Sequence, residues 1–410
     1  MNSAVQATTA NRPMTFGIFL APFHPVGQNP TMALQRDLEL ITRLDALGFD
    51  EAWIGEHHSA GFEIIASPEV FIAAAAERTK RIRLGTGVSS LPYHHPFMLA
   101  DRMVLLDHLT RGRAMFGAGP GALPSDAFML GIDPMRQREM MEESLDAITR
   151  LIRTEEPVTM ETDWFKMRDA RLQLRPFTPG GLEMAVAAQV SPAGPRAAGR
   201  FGAALLSLGA TSTGGFDVLG AHYETWKDRS LEFGHGVPDR STWRLVGPMH
   251  IADTEEQARK DVEFGLKDWM DYFRKVAALP LAPGDETQDM VDAMNGMGMA
   301  VIGTPEMAAA QIQRLVDQSG GFGTYLFMAH DWANREATLR SYELFAQYVM
   351  PQFQGQVHSV VNSRDWAAAN REQFMGSAIG AVMSAVQSHQ QEKATKAEAA
   401  GAGVEVGVQV

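Results

Sequence analysis

From Met14 onward the chain alternates short apolar runs of strand length with longer stretches that are apolar every three or four positions. "MTFGIFLA" precedes "TMALQRDLELITRLDALGF", "EAWIGEH" precedes "SPEVFIAAAAERTK", "IRLGTGVSSL" precedes "PFMLADRMVLLDHLT", and "RAMFGAGPG" precedes "DPMRQREMMEESLDAITRLIR". Such alternation predicts βα units and a parallel sheet with helical crossovers. Further along, "LEMAVAA" leads to "SPAGPRAAGRFG", "AALLSLGA" to "FDVLGAHYETWKDRSLEFG", "TWRLVGPMHIA" to "TEEQARKDVEFGLKDWMDYFRK", and "GTYLFMAH" to "REATLRSYELFAQYVMPQF". Eight units with apolar strands and short linkers suit an α/β fold of the (β/α)8 barrel type, with a doubly wound open sheet as the alternative.

Two stretches interrupt the alternation. "PVTMETDWFKMRDARLQLRP" has the β-branched and aromatic residues of a hairpin inserted between units. Residues 281–299, "LAPGDETQDMVDAMNGMGM", break the seventh unit before a helix that starts with Thr304 as N-cap and Pro305 at its first position. On the catalytic rim of a barrel this insert reads either as an adaptable lid, with Met294, Met297 and Met299 in an apolar ceiling, or as a solvated loop. The expected organisation is a disordered N-terminus over 1–13, a barrel domain over 14–352, and a tail over 353–410 that is helical from about Asp365 to His389 and disordered beyond.

Composition narrows the class of partner. Lys and Arg number 36 against 49 Asp and Glu, a formal charge of -13, which supplies no basic excess for a phosphate backbone or an anionic lipid surface. With no Cys, disulfides, thiolate chemistry and thiolate-held zinc are excluded. No apolar run reaches membrane-spanning length and no signal-peptide pattern opens the chain, so a cytoplasmic protein is expected, with neither nucleic acid nor membrane as partner.

Barrel enzymes carry their catalytic groups at the C-terminal ends of the strands, and there the second strand ends in Glu56-His57-His58. Alternation along a strand points His57 away from Glu56 and His58. These residues could equally form a structural strand end, with His58 closing a loop over a buried, partnered Glu56. A second pair, His94 and His95 in "VSSLPYHHPFMLAD", is bracketed by Pro92 and Pro96, which hold His95 out of helical geometry and favour a structural role for at least one of the two, while Tyr93 could face the barrel mouth. Zinc is a poor fit because the H-E-x-x-H spacing is absent. Glycines in "MFGAGPGALPSD" would let backbone approach a planar ligand, or would simply make a tight turn. In "AQVSPAGPRAAG", Ser191 before Pro192 reads as an N-cap whose free N–H groups could hold a phosphate.

Through "FGIFLAPFHP", "GFDEAWIGEHH", "LGTGVSSLPYHHPFMLADRMVLLDHLTRGRAMFGAGPG" and "VIGTPEMAAAQI", the sequence resembles the bacterial luciferase-like flavin monooxygenases, especially the limonene 1,2-monooxygenase-like members, over residues 14–352. The resemblance implies a (β/α)8 barrel that receives reduced flavin, FMN or possibly FAD, from a separate flavin reductase. By the same resemblance the flavin would react with O2 to give a C4a-(hydro)peroxyflavin that inserts one oxygen atom into a small apolar organic substrate. It implies His57 as the catalytic residue, a cis peptide at Gly87-Val88 beneath the flavin ring, and Ser191 and Gly194 in a phosphate-binding turn. Ser89, Gly119, Gly121, Gln189 and Val190 complete the cofactor candidates, and Phe19, Tyr93 and Met297 the substrate-pocket candidates. The family arginine that meets the phosphate after the fourth strand falls on Pro120, so that cation is unassigned. A homodimer or higher homo-oligomer is expected. Rival readings are a deazaflavin-dependent oxidoreductase on the same barrel and a non-enzymatic flavin-binding protein.

Overall fold

The computed structural model describes residues 12–21, 23–277, 284 and 286–401. The expected disorder of residues 1–13 falls mostly outside them. Eight parallel strands are central: β1 (Thr15–Leu20), β2 (Glu51–Ile54), β3 (Arg83–Thr86), β4 (Ala114–Gly119), β5 (Glu183–Ala188), β6 (Ala204–Ser207), β7 (Trp243–Gly247) and β8 (Thr324–Met328). Each pairs with its neighbour in chain order, and β8 pairs back onto β1, as in Ile18 opposite Phe327. The sheet is therefore closed, which decides for the barrel over the open sheet and leaves the central sheet without free edges.

Strand periodicity divides the apolar residues into two sets. Phe16, Ile18, Ala52, Ile54, Leu84, Phe116 and Val186 face outward and form the main core with the helices. Phe19, Trp53, Met115, Ala185, Leu206, Val246 and Leu326 fill the interior. The Trp53 ring is fully buried there, and its bulk explains Gly85, where a Cβ would lie 2.7 Å from a ring carbon; a Cβ on Gly117 would run first into the Thr86 carbonyl oxygen, with the Trp53 ring next at 3.1 Å. Small residues around one large one are how a narrow barrel reaches close packing.

The expected hairpin is present, Val158–Glu161 antiparallel to Lys166–Ala170. Thr304 caps helix Pro305–Ser319 in extended geometry, with Pro305 in its first turn and no side-chain bond from the threonine to the helix. Part of the insert, residues 281–283 and 285, lies outside the described residues. Its described portion is helix Thr287–Gly296, which joins strand Met249–Ile251, strand Val301–Gly303 and helix Leu266–Lys275 in a small lobe beyond the C-terminal end of β7. Met290, Val291, Met294 and Met299 are buried in that lobe's own core with Trp269, Met270 and Trp332. Met294 thus packs into a core of the lobe's own because the helix places it on its inner face, and Met299 joins that core from the turn after the helix.

Residues 355–410 form a separate unit. It carries helices His358–Ala369 and Arg371–Gly401, so helix extends beyond the expected 365–389 at both ends. No helix among the described residues is long and apolar enough to cross a membrane.

Candidate active site

β2 is short and buried, and the chain leaves it at Gly55 directly into Glu56, His57 and His58. As alternation requires, the three divide. Glu56 is 3% exposed and turns toward the β3 side, where its Oε1 accepts from His58 Nε2 at 2.9 Å and His94 Nε2 at 2.8 Å, and its Oε2 accepts from the Ser90 amide at 2.8 Å. Burial alone would raise the Glu56 pKa, but those hydrogen bonds outweigh it and hold the carboxyl below the usual range. Glu56 is thus buried and partnered, as the strand-end alternative expects, and His94 also meets Arg102 at 3.3 Å. His95 is extended, as Pro96 dictates, and sits at the cap of helix Pro96–Thr110.

His57 lies on the other side. Its Nδ1 is 3.2 Å from Asp126 Oδ2 and its Nε2 is 3.3 Å from Glu63 Oε2. Asp126 belongs to helix Pro124–Met129 after β4, and it also accepts from the His58 amide at 3.1 Å and from the Ser59 hydroxyl. Burial pulls the His57 pKa down, yet the Asp126 hydrogen bond and the charges of Glu63, Asp126 and Glu56 raise it above the ordinary value. The same contact holds Asp126 low against the upward effect of burial.

Beside this polar group the strand ends form an apolar floor. Phe19 is buried there, and Ala21, Val88, Leu208 and Met328 are partly exposed. The Gly87-Val88 peptide is cis. Ser89 Oγ next to it is buried without a hydrogen-bond partner. A Cβ on Gly119 would lie 2.5 Å from Val88 Cγ2. Gly121 takes φ +90° and leaves room for Tyr93, whose hydroxyl would be 2.3 Å from an added Cβ. These two glycines accommodate neighbouring side chains, and Gly121 takes the positive φ of the tight turn that is one of the two readings of this stretch. Tyr93 packs edge-on to His58 at 5.8 Å and meets Gln137, which also donates to the Pro120 carbonyl at 2.8 Å. Burial and the Asp126 charge push the Tyr93 pKa up to about 12.

Across the floor, Gln189, Val190 and Ser191 are exposed after β5. Helix Ala193–Phe201 follows with Pro192 at its cap, so Ser191 stands just outside and does not cap it as expected. Gly194 is needed for contact: a Cβ there would lie 2.4 Å from the Ala187 carbonyl oxygen. Met297 is 41% exposed at the end of helix Thr287–Gly296.

Residues 14–321 match the Luciferase-like monooxygenase family. The chain belongs to that family. It is 52% identical over 340 residues to limonene 1,2-monooxygenase of Rhodococcus erythropolis, covering 83% of this chain and 87% of that protein. It is 47% identical over 361 residues to 4-hydroxyprotoasukamycin monooxygenase of Streptomyces nodosus subsp. asukaensis, covering 87% and 96%. Among solved structures it is similar to the oxygenating constituent of 3,6-diketocamphane monooxygenase from Pseudomonas putida, a type II Baeyer-Villiger monooxygenase in complex with FMN, at 28% identity and a TM-score of 0.67, covering 83% of this chain and 98% of that one.

In this luciferase-like monooxygenase, then, the expected residues His57, Gly87, Val88, Phe19 and Tyr93 cluster at the ends of β1 to β3. Three members of the His57 group escaped sequence reasoning: Asp126, Glu63 and Tyr272, whose hydroxyl donates to Glu63 at 2.9 Å. A faint signal existed for Asp126, an acid in the first turn of the helix opened by Pro124. Glu63 and Tyr272 carried none, since neither lies at a strand end.

Proposed function

We propose that this chain is the oxygenase of a two-component system, receiving reduced FMN from a separate flavin reductase and using O2 to place one oxygen atom in a small apolar organic substrate. The observation that carries the reading is the position of His57, paired with carboxylates at the edge of an apolar floor that the cis Gly87-Val88 peptide helps form. The arrangement fits a flavin. Val88, with Phe19, Ala21, Leu208 and Met328, would support the flat ring, and the buried, unsatisfied Ser89 hydroxyl is beside it. Gln189, Val190 and Ser191, with the start of helix Ala193–Phe201, would take the phosphate at exposed amides.

Bound reduced flavin supplies the activation of O2. The protein's part is to hold the ring on the floor, keep water out and manage one proton. His57 does the last, and Tyr93 closes the side toward His58. Phe19, Tyr93 and Met297 would contact the substrate. A homodimer has support in the apolar side chains that helices Pro68–Ala76 and Pro96–Thr110 leave exposed, Val70, Met98, Leu105 and Leu109.

The test is to add a flavin reductase, NADH, FMN and a panel of terpenes, aldehydes, cyclic ketones and N-heterocycles, following NADH, O2 and oxygenated product. Product that requires all components supports the reading. Steady NADH turnover by the isolated chain with free FMN would contradict the two-component assignment, and turnover with a reduced deazaflavin but not reduced FMN would favour hydride transfer.

A further inference from the structure

His57 has a carboxylate against each of its nitrogens. Asp126 stands at Nδ1, 3.2 Å away, and Glu63 Oε2 stands at Nε2, 3.3 Å away. That Glu63 oxygen is buried and makes no hydrogen bond, whereas Oε1 accepts from the Tyr272 hydroxyl at 2.9 Å. Tyr272 is 3% exposed on helix Leu266–Lys275 of the small lobe, with its ring 4.6 Å from that of Phe62 and 5.7 Å from that of Phe23. Burial, reinforced by the Glu63 charge, raises the Tyr272 pKa far above working pH. The phenol therefore stays protonated and acts toward the carboxylate as a donor. It turns one Glu63 oxygen toward itself and leaves the other facing the imidazole.

We propose that Glu63 is a positioning residue for His57, holding the Nε2 side as Asp126 holds the Nδ1 side, and that Tyr272 keeps Glu63 in that place. The inference rests on the reading of His57 as the proton-handling group of an oxygenase. A single carboxylate partner fixes the tautomer of a histidine and leaves the other nitrogen free to accept a proton. Two opposed carboxylates favour a proton on both nitrogens, so His57 meets its ligand as a proton donor. Asp126 and Glu63 face the ring in contact, Glu56 acts on it only through its charge from the other side of the strand end, and His58 opposes them as a second potential cation. Tyr272 also links the small lobe to the chemistry: the helix that carries it shares a core with Met290 and Met294 of the insert.

The experiment follows the His57 ring signals by heteronuclear NMR across pH in the flavin-free protein, assigned by their absence in His57→Gln. An opposite charge within about 4–6 Å typically moves a pKa by 1–3 units, so Glu63→Gln should lower the His57 midpoint by about one pH unit or more. Tyr272→Phe should lower it in the same direction by less, and Glu63→Asp should restore part of the loss. In the assembled system the pH profile of product formed per O2 consumed should move with the midpoint. A wild-type midpoint in a folded Glu63→Gln protein overturns the proposal. Should that variant not fold, Tyr272→Phe decides, since it removes one oxygen from a packed ring, and an unmoved midpoint there overturns the proposal too. The NMR arm needs neither flavin nor substrate, so its failure removes Glu63 alone. Absence of oxygenation by the wild-type protein would instead remove the oxygenase reading.

Discussion

Arg244 meets Glu51 inside the closed barrel, Nε 2.9 Å from Glu51 Oε2 and Nη2 2.8 Å from Oε1. The remaining nitrogen, Nη1, reaches Glu183 Oε1 at 2.7 Å, and Arg83 Nη2 reaches Glu183 Oε2 at 2.6 Å. Arg244 is 2% exposed, with its guanidinium 5.1 Å from the Trp53 ring centre. The interior beneath the site is thus closed by a charge cluster under Trp53. Burial would raise the Glu183 carboxyl, but Arg244 and Arg83 bring it down to about 2.

Replacing Arg244 by Leu should destabilise the barrel severely, because Glu51 and half-buried Glu183 would lose their buried counter-charge. Removing one partner of a buried pair typically costs about 3–5 kcal/mol. The midpoint of urea unfolding should fall accordingly, and an unchanged midpoint would mean water reaches the cluster freely.

His57→Ala should leave the barrel folded and flavin bound while uncoupling the reaction. General acid–base groups contribute ~10²–10⁴-fold, so product formation should drop within that range as hydrogen peroxide takes its place. Product and peroxide measured in one assay give the answer. Wild-type coupling would remove His57 from the chemistry.

The pH dependence of stability carries the sign of the His57 shift. The folded-state pKa is raised above the unfolded value near 6.5, so the stability contributed by His57 is complete below about pH 6.5 and is lost as pH rises through the folded-state value. The difference in melting temperature between wild type and His57→Gln should therefore be largest on the acid side of that window and shrink on the alkaline side. A gap that widens with pH would reverse the assignment.

Met294→Ala tests whether the insert is packed or solvated. Met294 is fully buried beside Met290 and Trp269 in the core of the small lobe, and a Met-to-Ala cavity in such a place costs about 2–5 kcal/mol. Hydrogen exchange of helix Thr287–Gly296 should accelerate, with global melting affected less if the lobe opens on its own. Exchange at the wild-type rate would return the segment to the status of a connection.

How far the sequence reached follows from what each signal measures. Apolar runs such as "MTFGIFLA" and "GTYLFMAH" announce β1 and β8 because a strand buried on both faces must be apolar throughout, and the helices announce themselves by their stripe. Alternation along β2 was enough to turn His57 away from Glu56 and His58. The family resemblance, which needs only residue identity, placed the cis peptide at Gly87-Val88, and that peptide is cis.

Periodicity states that a face is buried but not what it is buried against, and that was left to the tertiary structure. Whether eight strands close was decided by the pairing of β8 with β1. Nothing local in the sequence marks Gly85 as special, yet Trp53, which is distant along the chain, is what it makes room for. The methionines of the insert read as a ceiling or as part of a solvated loop, and only the packing of the small lobe shows that Met294 and Met299 are core while Met297 is exposed. Above all, closure brings Asp126 from the helix after β4 and Tyr272 from the small lobe around His57, while Glu63 folds back from the loop after it. The sequence by itself determined that β2 ends in Glu56-His57-His58 and that His57 turns away from the other two; which carboxylates surround it depended on the loops that barrel closure forces together, a long-range juxtaposition that no local pattern encodes.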